Sequence, residues 1–307
     1  MSLRINNNIE SMNAHRNLLM NDRALSKSLE RLASGQKINR AADDPAALVI
    51  SEHMRAQVSG MEQAIRNNEV AISLVQTAEG SMNEISSILV SLRQRAISAA
   101  NVGASDQDMI DANQAEIENA LASIDRVVST TQFGHYKLLD GTNAAKTKTN
   151  EDGSISTQEG LRFHVGPNAE HMASTSIRDM STNALGRVTV PEGEMPNKSN
   201  FMSLADIDVR NEQGAQDALA IIDQALTEVA SVRGELGAFQ KHTLESNLTS
   251  LQVAAENMTA AESTIRDTDM AQELATFTRN QIMTQSATAQ LAQANAMPQH
   301  VLRLLNG

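Results

Sequence analysis

The chain contains no cysteine and no tryptophan in its 307 residues, and aromatic residues make up only 2% of it. Without cysteine it can form no disulfide, no thiolate nucleophile and no cysteine-based metal site. No apolar run approaches the roughly 20 residues that a membrane-spanning helix needs, so we expect no membrane insertion. The scarcity of aromatics favours long helices packed through small and medium side chains over a thick globular core.

Positive charge is also scarce, since 25 lysines and arginines stand against 37 aspartates and glutamates, a formal net charge of −12. This balance argues against non-specific nucleic-acid binding and against docking on anionic lipid, so we expect no nucleic-acid partner. The first residues, MSLRINNNIESMN, lack a charged segment followed by an apolar core. We therefore expect no cleaved signal peptide of the Sec type.

Motifs that carry chemistry are missing as well. The sequence has no Gly-x-Ser-x-Gly elbow, no P-loop and no His-Glu-x-x-His pattern. Asp43 and Asp44 could pass for a carboxylate pair, but a helix cap explains them better, and His164 and His171 fit a surface loop better than a metal site. We expect no enzymatic activity, no cofactor and no metal site.

A heptad pattern is present near the start of the chain. Leu18, Leu25 and Leu32 recur every seven residues with Leu29 between them, and Gly35 ends the pattern. A second helix should begin at Asp44, a good N-cap, and Pro45, and no proline follows before about residue 100. Its seam is predicted at positions 58, 61, 65, 68, 72, 75, 79, 82, 86 and 89, of which seven are apolar.

The composition divides the chain into five segments. We predict an N-terminal coiled-coil segment and connector (1–44), a helical rod (45–128), an exposed, outward-facing β/loop region (129–205), a second helical rod (206–264) and a C-terminal coiled-coil segment (265–307). The fold class is then mainly α: an elongated antiparallel helical bundle or coiled coil formed by the N- and C-terminal halves, with a small β/loop region in the middle.

The last forty or so residues are apolar where chain ends are normally polar. A helix this long cannot bury its apolar positions on itself, so it needs a partner helix in this chain or in another copy. The candidate positions for that pairing are Leu274, Phe277, Leu291, Val301, Leu302, Leu304 and Leu305.

This stretch resembles the C-terminus of bacterial flagellins through IRDTDMA (265–271), LAQANAMPQ (291–299) and VLRLL (301–305). The resemblance extends to the front of the chain through RINNNIESMNAHRNL (4–18) and SLERLASGQKINRAADDPAAL (28–48). It implies a structural protein that polymerises into the bacterial flagellar filament for swimming motility. The middle of the chain is short for the family, which implies a minimal form without separate outer domains.

The resemblance also implies the partners and the location. Flagellins pair their termini as a coiled coil along the inner wall of a hollow filament of identical copies. They are exported unfolded by the flagellar type III apparatus without a cleaved signal, so the location is extracellular. A flagellar export chaperone, a filament cap and hook–filament junction proteins are the further expected partners.

One segment departs from the family pattern. Many flagellins are recognised by a Toll-like innate receptor through the segment aligned with SLRQRAIS (91–98). Arg93 and Glu116 match that pattern, whereas Ser91, Gln94 and Arg95 replace an arginine, a glutamate and a leucine. Losing a guanidinium and placing a charge at an apolar contact predict weak or absent recognition.

Two other functions fit part of the pattern. A hook–filament junction protein has termini that resemble those of flagellin, but the dense match through 233–307 and the compact middle favour a filament subunit. A soluble coiled-coil scaffold would explain the heptads, but it would explain neither the apolar C-terminus nor the many ordered matches.

Overall fold

The computed structural model describes residues 8–101, 106–144, 146–149, 155–158, 160–187 and 197–305, with the side chains of 146–149, 155–158 and 298–305 left out. Its helices are α1 (Ile9–Ser34), α2 (Pro45–Ala100), α3 (Gln107–Thr130), α4 (Glu212–Ala238), α5 (Ser246–Arg266) and α6 (Met270–Leu305). A 3₁₀ turn (Leu204–Asp206) precedes α4, and a π-helical segment (Phe239–Glu245) joins α4 to α5. None of the helices in these ranges combines the length and apolar character that a bilayer crossing requires.

The described residues between α3 and α4 include six short strands. Strand β1 (Gln132–Phe133) pairs with β2 (Tyr136–Lys137), β3 (Lys146–Thr149) with β4 (Ile155–Gln158), and β5 (Leu161–His164) with β6 (Met172–Thr175). All three pairs are antiparallel hairpins, and the register of the third places Leu161 opposite Thr175. The mainly α fold with a small β region in the middle is thus confirmed.

Local signals set the helix ends as the sequence predicts. Asp44 accepts a hydrogen bond from the Ala47 backbone N–H at 3.0 Å, and Pro45 is the first residue of α2. Gly35 ends α1 in the left-handed conformation, at φ 70°, with its N–H bonded to the carbonyl of Arg31.

The chain forms two compact units: Met1–Ser59 with Ala255–Gly307, and Gly60–Ala254. The five-segment division drawn from the sequence stays a prediction. In the second unit α4 runs antiparallel to α2, because Arg93 pairs with Asp223 and Arg233 pairs with Glu79. The N- and C-terminal halves of the chain therefore share one core.

The seam of α2 in the second unit differs in part from its prediction. One predicted row is buried: Met61, Asn68, Val75, Met82 and Leu89. The second buried row is Ala64, Ala71, Ala78, Ile85 and Leu92, and not positions 65, 72, 79 and 86. The predicted side carries Glu79 and Ser86 after its two isoleucines, whereas every residue of the buried side is apolar. Small side chains let neighbouring helices approach closely, which is why this side faces the core.

The described part of the β/loop region contains buried side chains, so the expectation that this region is exposed was wrong for them, while its outward-facing placement stays a prediction. Six of its large side chains are at most 1% exposed and belong to the same cluster as the helices: Leu138, Leu139, Ile177, Met180, Leu185 and Leu204. Backbone bonds hold this region together, such as that from the Met180 N–H to the Leu139 carbonyl. The described part of the middle therefore completes the core of the second unit.

Candidate functional site

The terminal helices α1 and α6 pair with each other in antiparallel orientation. Near the start of α1, the Asn8 side-chain amide donates to the Ala294 carbonyl at 2.8 Å. At the other end of α1, Arg31 lies 3.6 Å from Glu273. The two ends of the chain thus form one helical pair, as the sequence predicts.

Each helix contributes one row of buried or half-buried residues to this seam. On α1 the row is Ser11, Ala14, Leu18, Asn21, Leu25, Ser28 and Leu32, and on α6 it is Glu273, Phe277, Asn280, Thr284, Ala287, Leu291 and Ala294. The steps of three and four are those of a heptad repeat. Five of the predicted positions, Leu18, Leu25, Leu32, Phe277 and Leu291, lie in these rows.

Two predicted residues do not lie in the seam. Leu29 is 52% exposed and Leu274 is 53% exposed. Each directly follows a buried polar residue, Ser28 or Glu273, and one residue along a helix turns the side chain by about 100° away from the seam. The sequence pattern favours the larger apolar residue for the seam. In the structure, its smaller or charged neighbour faces the partner helix instead.

Polar residues inside the seam were not predicted. The Asn280 side-chain amide donates to the Ser28 hydroxyl at 3.2 Å, and that of Asn21 donates to the Met283 carbonyl at 3.4 Å. The Ser11 hydroxyl donates to the side-chain amide oxygen Oδ1 of Asn295 at 2.6 Å. Polar groups at heptad positions are satisfied in only one alignment of the helices, so these bonds select the register. Only their place in the heptad rows, at steps of three, four or seven residues from the apolar seam residues, could have marked them.

The connectors at the ends of α1 and α5 also lie side by side. The Lys37 N–H donates to the Arg266 carbonyl at 2.7 Å, and the Thr268 N–H donates to the Gly35 carbonyl at 2.9 Å. Arg266 also pairs with Glu52 on α2 at 2.8 Å. The segments SLERLASGQKINRAADDPAAL (28–48) and IRDTDMA (265–271) therefore meet in space.

Asp43 stabilises the connector that follows α1. The hydrogen bond from Lys27, at 2.7 Å, and those from the backbone N–H groups of Arg40 and Asn39 lower the pKa of the Asp43 carboxyl to about 2. Asp43 therefore has a structural role in the connector.

Outside the seam, the terminal helices expose a second set of large apolar side chains, 42–69% open to solvent. On α1 these are Ile9, Met12, Leu19, Met20 and Leu29, and on α6 they are Met270, Leu274, Ile282, Met283 and Met297. We call these ten residues the outer apolar set. This concentration of exposed large apolar side chains makes the helical pair a candidate protein-binding surface.

The apolar C-terminal residues continue the same helix. The backbone of α6 runs to Leu305, while the side chains of Val301, Leu302, Leu304 and Leu305 lie outside the described part of the structure. Their assignment to the pairing surface stays a prediction.

The segment that departs from the receptor pattern is on α2, where Ser91, Arg93, Gln94 and Arg95 are exposed. Arg95 forms an ion pair with Glu116 of α3, at 2.5 Å, and Arg93 forms one with Asp223, at 2.6 Å. Both residues that match the pattern are therefore engaged within the chain. Across the described ranges, no group of three or more His, Asp or Glu residues is placed to hold a metal ion.

Two family models match the chain. The model of the bacterial flagellin N-terminal helical region matches residues 5–144, and that of the C-terminal helical region matches residues 219–305. These matches include both terminal helices and most of the helical part of the second unit.

Similar proteins cover nearly the whole chain. Flagellin of Bacillus subtilis is 40% identical over 313 aligned positions, with 99% of this chain and 100% of the relative covered. The flagellar filament 30.7 kDa core protein of Treponema maltophilum is 38% identical, with 98% and 99% covered. A solved structure from Vibrio parahaemolyticus, described as flagellar hook-associated, has a TM-score of 0.56 over 73% of this chain at 15% identity. At this low identity the likeness, which covers 100% of that chain, shows a common fold alone.

Proposed function

The chain belongs to the bacterial flagellin family and is a structural subunit of the flagellar filament, and on this premise we propose that α1 and α6 carry its polymerisation. The single observation behind the proposal is the outer apolar set, which the pairing of α1 with α6 leaves uncovered. Further copies of the chain are the proposed occupants of that surface. From the sequence, Val301, Leu302, Leu304 and Leu305 are proposed to take part in the same contacts.

The free energy available from burying the outer apolar set is comparable to the cost of association. Burying the open half of a large apolar side chain is worth roughly 1 kcal/mol, so ten of them offer on the order of 10 kcal/mol. Association costs about 4–15 kcal/mol in lost rigid-body freedom. Pairwise contact is therefore marginal, and a subunit gains most where several neighbours cover it at once, as at a growing filament end.

The arrangement of the set favours a filament over a closed dimer. Met20 and Leu29 are nine residues apart on α1, two and a half helical turns, so they lie on opposite sides of that helix. One neighbour cannot cover both sides. Contacts between different surfaces of identical subunits generate an open helical array when they do not close a ring.

Seeded assembly tests the proposal directly. Purified protein is added to short filament fragments and inspected by negative-stain microscopy, beside a copy truncated after Thr264. We expect long tubes from the full chain and none from the truncation. Met20→Ser and Leu29→Ser should each slow elongation, while Arg23→Ser on the same helix should not. Equal elongation by the full and truncated chains would show that the terminal helices are not required.

We further propose that the protein is exported unfolded through the flagellar type III apparatus, without a cleaved signal peptide, and that it functions outside the cell. An export chaperone, a filament cap and hook–filament junction proteins are its proposed partners. The family assignment supports these steps. In cells without the export apparatus the protein should stay inside, and N-terminal sequencing of filament protein should begin within the first few residues. A mature chain that starts after residue 20 would indicate a cleaved leader instead.

Weak or absent recognition by the Toll-like receptor is a separate proposal. Its support is the three departures at Ser91, Gln94 and Arg95 and the engagement of Arg93 and Glu116 in ion pairs. A receptor-reporter cell line exposed to monomer should respond weakly to the natural sequence. The triple variant Ser91→Arg, Gln94→Glu, Arg95→Leu should respond at least about tenfold better. A full response to the natural sequence would overturn the proposal.

A further inference from the structure

Methionine is the only sulfur-containing residue type in this chain, with 15 methionines and no cysteine. The described methionines include both buried and largely exposed side chains. Met82 and Met180 are at most 1% exposed in the core of the second unit, and Met61 is buried as well. Five others belong to the outer apolar set of the terminal helices: Met12, Met20, Met270, Met283 and Met297.

The chemistry of these five side chains differs from that of leucine in one respect. A thioether packs as an apolar group, but an oxidant converts it into a polar sulfoxide. No thiol in the chain can react first. Five of the ten residues in the outer apolar set are methionines, whose apolar side chain becomes polar on oxidation.

We propose that Met12, Met20, Met270, Met283 and Met297 form an oxidant-sensitive modification site that stops subunit addition when it is oxidised. The sulfur takes one oxygen atom from a peroxide, which is reduced to water, and the sulfur gains an S=O bond while its two carbon bonds stay intact. A thiol-dependent sulfoxide reductase reverses the step, as two thiols become a disulfide and the oxygen leaves as water. The inference rests on the proposed polymerisation through α1 and α6.

The effect on assembly follows from desolvation. In an unassembled subunit each sulfoxide is solvated by water, so oxidation there costs little. Burying the S=O group against a second copy without a hydrogen-bond donor is unfavourable, and each such group should weaken addition by about tenfold. Covered methionines inside a finished filament should resist the same oxidant.

Three other methionines provide a matched control. Met109, Met172 and Met202 belong to the second unit, and each is about half exposed, like the five terminal ones. They should oxidise at a similar rate in the monomer. Since the terminal helices do not include them, their oxidation should leave seeded growth unchanged.

The experiment compares three chains: the natural sequence, a variant with leucine at the five terminal positions, and a variant with leucine at the three control positions. Each monomer is treated with hydrogen peroxide, freed of peroxide by catalase, and added to filament seeds. Peptide mass spectrometry counts the sulfoxides at each methionine, in the monomer and in the assembled filament.

We expect the oxidised natural chain and the oxidised three-position variant to elongate at least about tenfold more slowly than their untreated forms. Sulfoxide reductase with a thiol should restore both, and the five-position variant should be insensitive to peroxide. Should that variant fail to assemble untreated, the mass spectra decide: the five terminal methionines must be oxidised in the monomer and protected in the filament.

Unchanged growth of the fully oxidised natural chain would overturn the inference, as would equal oxidation of the five residues in monomer and filament. Failure of the untreated natural chain to extend seeds would refute the proposed polymerisation itself. The two failures are therefore distinguishable.

Discussion

Replacing Leu139 by alanine tests whether the middle of the chain belongs to the core. The Leu139 side chain is fully buried, and it packs in the same cluster as the helices. Truncating a buried leucine to alanine removes its transfer free energy and leaves a cavity, at a cost of about 2–5 kcal/mol. Because the backbone carbonyl of Leu139 also anchors the Met180 N–H, the site cannot collapse freely, and we expect about 3 kcal/mol.

Urea unfolding of the monomer, followed by circular dichroism, measures the change. A loss of 3 kcal/mol in a unit of this size should also lower its thermal midpoint by roughly 6–12 °C. Emission from Tyr136, the single tyrosine of the chain, reports on the same region. Coincident midpoints from the two probes would justify treating the transition of this unit as two-state.

Two further variants calibrate the result. Leu92→Ala, at a fully buried position of α2, should cost about the same, whereas Met202→Ala, at a half-exposed position in the middle of the chain, should cost less than about 1 kcal/mol. The reasoning is refuted if Leu139→Ala resembles the Met202 variant while Leu92→Ala is strongly destabilising. The middle would then be a detachable surface region.

Three further substitutions should each lower the stability of the folded chain. Asp43→Asn should cost about 1 kcal/mol above pH 4, because solvent screens the half-exposed Lys27 partner. Since the folded-state pKa of Asp43 is lowered to about 2, this difference should disappear as the pH falls from about 4 through about 2, and a pH-independent difference in urea midpoints would contradict it. Gly186→Ala should cost about 2 kcal/mol or more in thermal unfolding, because φ is +65° and the new Cβ would lie 2.7 Å from Ile221. Gln114→Ala should cost about 1–3 kcal/mol, because buried Gln114 hydrogen-bonds two backbone groups of the segment before α4, and amide exchange there should accelerate.

The sequence alone leaves open mainly which face of a helix packs against its neighbours. A heptad row names a set of positions, but apolar residues on either side of it fit the same steps of three and four. On α2, Ala71 and Ala78 are fully buried and Ile72 is only half-buried. Small side chains such as alanine let neighbouring helices pack closely against that side. On α1, Ser28 faces the partner and Leu29 does not, because Asn280 supplies a hydrogen bond across the seam.

The candidate site was predictable in outline and not in detail. The heptad leucines and the apolar C-terminus already required that the two ends of the chain pair with a partner. The outer apolar set could not be separated from the seam, since Met20 or Met283 has no pattern of its own until the seam is known. The ion pairs of Arg93 and Arg95 could not be predicted either, because their partners, Asp223 and Glu116, come from other helices.

The sequence by itself determined what depends on neighbours along the chain: the helix start at Asp44 and Pro45, the stop at Gly35, the heptad spacing, and the lack of any thiol or catalytic motif. These follow from local backbone preferences and composition, which act before the chain is compact. Tertiary structure alone decided the seam partners, the register set by polar pairs, and the burial of middle residues such as Leu139. Each of these depends on free energy shared between segments that are tens to hundreds of residues apart, and no local pattern records which segments will meet.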